Sequence, residues 1–147
     1  MAMSTIIDIA DAVAASLNAP GEPGFSQAFN AARKALPAFD LADLAGLHVT
    51  VVPKGVEVTG ATRSLSQHDH QIDVGVQKKL TTDMDTETAT MLGLVDEIAA
   101  FLRRRPLAGV PGAAWVRSVN EPVYSPEHLA EKRLFTSVLT VTYRLMK

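Results

Sequence analysis

Between Gln67 and Gln77 the chain alternates polar and apolar side chains with a period of two. His68, His70, Ile72, Val74 and Val76 fall on one side, and Gln67, Asp69, Gln71, Asp73 and Gln77 on the other. Successive side chains of an extended strand point to opposite faces, so this pattern buries its apolar set only as a strand, and a slip of one residue would expose all of it. The stretch therefore belongs to a sheet with one covered face. A second alternation precedes it, with Leu47, Val49 and Val51 opposed to His48 and Thr50. Pro53 has no N–H to give a ladder, so it ends that strand or puts it at an edge. After Lys54-Gly55, Val56 and Val58 alternate with Glu57 and Thr59, and a polar stretch runs from Gly60 to Ser66. Lys54 to Ser66 reads as a polar connection too long for a tight hairpin, and the two strands as a projecting antiparallel arm.

The period changes to that of a helix at either side. Ile6, Ile9, Ala10, Val13, Ala14 and Leu17 recur at i, i+3, i+4 and i+7, with Ser4 placed as the cap and Asn18-Ala19-Pro20-Gly21 as the stop. Phe25, Gln27, Phe29, Ala31 and Arg33 give a weak strand pattern, and Asp40 to Gly46 a short helical turn capped by Asp40. A long helix over Glu87 to Arg105, capped by Asp85 or Thr86, carries a stripe of Met91, Leu94, Val95, Ile98, Phe101 and Leu102. Trp115 to Val119 reads as a short strand and Ser125-Pro126-Glu127 as a capped turn. Phe135, Leu139, Val141, Tyr143 and Leu145 share one face of a closing strand. The order predicts a single α+β domain over residues 1–147, with an antiparallel or mixed β-sheet, two main helices on one face and the two-strand arm.

Size and charge narrow the function. A chain of 147 residues buries enough surface to fold alone. Its 14 Lys and Arg against 16 Asp and Glu leave no basic field, so binding through phosphate neutralisation is not favoured. Cysteine is absent, which removes disulfides, thiolate nucleophiles and cysteine-held zinc. The first residues, with Asp8 and Asp11 and no basic lead, do not read as a signal peptide, and no apolar run reaches the ~18 residues of a membrane span.

Candidate chemistry is sparse. His68 and His70, two residues apart on a strand, point the same way and could hold a divalent metal. Their face continues as Ile72, Val74 and Val76, which reads instead as the border between a buried face and solvent; His48 and His128 are scattered. Ser64, Ser66, His68 and Asp69 lack the strand-to-helix turn that presents a nucleophilic serine. Asp83, Asp85 and Glu87 sit at a helix start and Arg103 to Arg105 at a helix end, where the helix dipole explains both signs. Neither a dinucleotide nor a triphosphate glycine motif occurs. The expectation is no catalytic residue, no metal ligand, no cofactor and no enzyme activity. The residues singled out are instead an interface set on the arm and near the scarce aromatics: Lys54, Glu57, Arg63, Gln67, Asp69, Trp115 and Tyr124.

The element order, together with Val51-Val52-Pro53-Lys54-Gly55, the run Gln67 to Lys79 and Tyr124-Ser125-Pro126-Glu127-His128-Leu129, resembles the tail terminator family of long-tailed bacteriophages. The resemblance spans most of the chain and rests on element order and texture, since these proteins have no diagnostic catalytic motif. It implies a structural protein of the virion neck, assembled in the host cytoplasm as a hexameric ring. Such a ring caps the tail tube, ends its polymerisation and offers a docking surface to the head connector or head-closure protein. Genome DNA would pass through the lumen without sequence-specific contact, which a near-neutral chain suits. Another head–tail joining protein is the nearest alternative, and a small metal-binding enzyme using His68 and His70 the alternative of a different class.

Overall fold

A computed structural model describes residues 4–21, 24–36 and 45–147. Its elements are α1 (Thr5–Asn18), β1 (Ala31–Arg33), β2 (His48–Gly60), β3 (Ser66–Lys79), α2 (Met84–Leu102), β4 (Ala114–Val119), α3 (Pro126–Lys132) and β5 (Leu134–Met146). The strands form one mixed sheet in the order β1-β2-β3-β5-β4, antiparallel except for the β1–β2 pair, so the fold is α+β. The short helix expected from Asp40 lies mostly outside the described residues.

One cluster makes the core. The sheet contributes Val49 and Val51 of β2, Ile72, Val74 and Val76 of β3, and Phe135, Leu139, Val141 and Tyr143 of β5. Cross-strand partners share a face, and the pairs Val51–Val74, Val74–Leu139 and Ile72–Val141 put these residues on the same one. Ile9, Ala10, Val13, Ala14 and Leu17 of α1 and Met91, Leu94, Val95, Ile98 and Leu102 of α2 pack into the same cluster, with Ala31, Leu80, Leu107 and Ala113. Phe101, included in the expected stripe, is only half-buried. It turns toward the α1–β1 connection, where its ring meets Phe25 edge-on at 5.2 Å. The other face of the sheet carries Gln71, Asp73, Gln77, Thr136, Thr140, Thr142 and Arg144.

Local chemistry sets the boundaries, and several differ from the sequence reading. The α2 helix begins earlier than expected because Asp83 is its cap: a carboxylate oxygen accepts the Asp85 N–H and the other accepts the Thr86 hydroxyl. Glu87 reaches back to accept the N–H groups of Thr81 and Thr82, which locks the entry. Ser4 sits at the cap position of α1 without a side-chain bond, its carbonyl accepting the Asp8 N–H. Ser125 caps α3 through the His128 N–H, as its position suggests. The weak strand expected from Phe25 shrinks to Ala31–Arg33, held by Asn18, whose side chain donates to the Ala31 carbonyl at 2.9 Å and accepts its N–H at 2.6 Å.

The arm is regular for longer than its polarity suggests. β2 continues through Pro53 with a bulge before Gly55 and pairs with β3 up to Gly60–Ser66, leaving residues 61–65 as the turn. Pro53 is tolerated because β1 flanks β2 at Val49, Thr50 and Val51, so the proline stands at an edge that no described strand covers. β5 runs beside β3 as far as the Gln67–Met146 pair, and Ser66 and Lys147 exchange two backbone hydrogen bonds. The arm is thus backed by a third strand along its inner side.

Candidate interaction surface

The sequence candidates fall into two groups in space. Lys54, Glu57, Gln67 and Asp69 belong to the arm end of the sheet, and Arg63 is exposed in the turn. Trp115 stands in β4 opposite Tyr143, on the core-facing side of that same end. Tyr124 does not join them. Its ring lies 6.4 Å from that of Phe135, near the start of β5, and the eight steps along the strand from Phe135 to Tyr143 span roughly 25 Å.

Asp69 is engaged within the subunit. Arg144, its partner across β3 and β5, donates Nε and a terminal nitrogen to the two carboxylate oxygens at 2.8 and 3.0 Å. That bidentate pair, with Arg117 adding positive charge, holds the Asp69 carboxyl below the usual carboxylate range against the opposing effect of burial. Lys54 extends toward Asp73 at 3.9 Å, and Asp73 accepts the Thr140 hydroxyl at 2.6 Å. Sequence reading gave no sign of Arg117 and Arg144, isolated basic residues whose partners become visible only through strand register.

The histidines do not converge with other ligating groups. The rings of His68 and His70 stack at 6.4 Å, and among the described residues no group of three or more His, Asp or Glu could hold a metal ion. Burial depresses the His70 pKa, with Lys147 and His68 contributing in the same direction. His128 is bound to the Thr136 hydroxyl at 2.9 Å.

What distinguishes this end is its edges. Beyond Val51 no described strand pairs with the outer side of β2, and none pairs with the outer side of β4. Val56 and Val58 are 49% and 57% exposed although they continue the core-facing side of the sheet. At the opposite edge a groove of about 510 Å³ lies between α2 and β4, lined by Asp96, Ala99, Ala100, Arg103, Trp115 and Arg117 among others. Trp115 lies half-buried there, its indole N–H donating to the Ser118 hydroxyl at 3.0 Å. Arg105 is folded back onto its own helix end, donating to the Phe101 carbonyl and covering the Phe101 ring at 3.7 Å. Arg103 and Arg117, at the groove itself, are exposed.

No protein-family model matches the chain, and no curated protein matches it either.

Proposed function

We propose that this chain is a structural protein of a bacteriophage neck, a tail-terminator-like subunit that closes into a ring on the end of the tail tube. The ring ends tube polymerisation and presents a docking surface to the head connector or head-closure protein. The observation that carries the reading is the pair of sheet edges at the arm end that no described strand covers, one bearing exposed Val56 and Val58 and the other a groove at Trp115. Unpaired strand edges with apolar side chains tend to be covered by another chain. Two different edges on one subunit are what a head-to-tail ring requires, because each contact joins non-identical surfaces. The element order behind the family resemblance supports the same reading.

The test is genetic and visual. Removing the gene from the phage or prophage that carries it should give tails of uncontrolled length that do not join heads, seen by electron microscopy, and supplying the protein in trans should restore infectious particles. Normal tails on infectious particles without the protein would refute the reading.

A further inference from the structure

We propose that successive copies join edge to edge, the free half of β2 in one subunit adding as a strand to the outer edge of β4 in the next. This deepens the ring reading and rests on it. Strand register makes the argument. Followed across the sheet, Val56 is level with His70, Tyr143 and Trp115; Gly55 with Gln71, Thr142 and Arg117; and Pro53 with Ile72, Val141 and Ser118. The half of β2 that β1 leaves open therefore stands at the same height on the sheet as β4. A rotation about an axis along the strands brings the two edges together without translation, which is the condition for a closed ring; an offset would generate a helical filament. Such a rotation preserves strand direction, and β4 runs opposite to β2, so the new pair is antiparallel.

Side chains agree with the pairing. Row-for-row contact sets Val56 beside Trp115 on the core-facing side, so the exposed valines enter the groove floored by Ala99, Ala100 and Trp115. On the polar side Glu57 comes beside Ala114, two rows from Arg117, within the diagonal reach of long side chains. Each edge also has one bulge, at Lys54 and at Val116, and the two lie in neighbouring rows. Bulges bend a strand and blunt it against indiscriminate pairing, so an edge that bends at the same level is favoured as partner. The contact is β-augmentation between copies, backbone hydrogen bonds supplying cohesion and Val56 with Glu57 supplying register.

The absence of native cysteine gives a direct test. Glu57→Cys and Ala114→Cys in one chain lie three inter-strand steps apart within a subunit, about 14 Å, beyond the ~7 Å limit for a disulfide. Between paired copies they are neighbours. Oxidised at concentrations where the wild-type chain is a ring, the double variant should give a covalent ladder up to the full ring, and each single variant no more than dimers. Rings of the double variant, confirmed by mass in solution, that yield no ladder would overturn the edge pairing while leaving the ring intact. A wild-type chain that stays at its 15.7 kDa monomer mass at all concentrations would overturn the ring reading and the pairing together.

Discussion

His70 and Tyr143 face each other directly across β3 and β5, both buried, and among the described residues neither imidazole nitrogen nor the phenol oxygen has a hydrogen-bond partner. Desolvated polar atoms without partners lower stability, so removing one without changing shape should help the fold. Tyr143→Phe is expected to raise the free energy of unfolding by about 1 kcal/mol in denaturant titration. A loss of stability would mean that the hydroxyl is satisfied in solution, for instance by a trapped water.

The same burial predicts how stability responds to acid. His70 is depressed below its ordinary value of 6.5, so the unfolded chain binds its proton more readily. Its contribution is complete above pH 6.5 and is lost as pH falls through the lower folded value. Asp69 is also depressed, from 3.8, and its contribution disappears only in more acidic solution. The melting temperature should therefore fall between pH 7.5 and 5, and the fall should be smaller in His70→Leu. Equal slopes for the two proteins in thermal unfolding across that range would exclude His70 as the cause.

The long helix is held by its stripe. Ile98 is 1% exposed within the central cluster, and truncating a buried isoleucine leaves a cavity as well as losing transfer energy. Ile98→Ala should cost about 2–5 kcal/mol, measured as a lower denaturation midpoint at an unchanged slope. An unchanged midpoint would contradict the packing of α2.

Sequence pattern revealed elements where one periodicity runs unbroken and failed where partners are distant along the chain. The alternation from Gln67 to Gln77 located β3 because its register is imposed by a buried face. β1 is three residues long and exists because Asn18, thirteen residues earlier, completes the backbone hydrogen bonds of Ala31. No local pattern records that. The α2 start was misplaced because Asp83, Asp85 and Thr86 are all acceptable caps by composition, and Glu87 reaching back to Thr81 and Thr82 decides among them. At the candidate surface the exposed valines were visible as an alternation, but their height relative to Trp115 depends on three successive strand pairings that only the folded sheet establishes.

The turn at the tip of the arm separates folding from assembly. Residues 61–65 close β2 onto β3 through the N–H groups of Ala61 and Thr62, both bound to the Leu65 carbonyl, and through the Thr62 hydroxyl, which accepts the Ser64 and Leu65 N–H groups. Arg63 and Leu65 are exposed there. Replacing these five residues by Asn-Gly leaves the Gly60–Ser66 pair and the Ser66–Lys147 backbone bonds to hold the strands. Because halving a loop changes closure by only about 0.6 kcal/mol, the isolated subunit should unfold at nearly the wild-type temperature. The variant should nevertheless lose ring formation or control of tail length, since Leu65, 42% exposed, and exposed Arg63 offer the tip's apolar and charged groups to a partner. Thermal unfolding, mass in solution and electron microscopy of particles made with the variant test both halves of the expectation. Complete rings and infectious particles with tails of wild-type length would show that the tip takes no part in assembly.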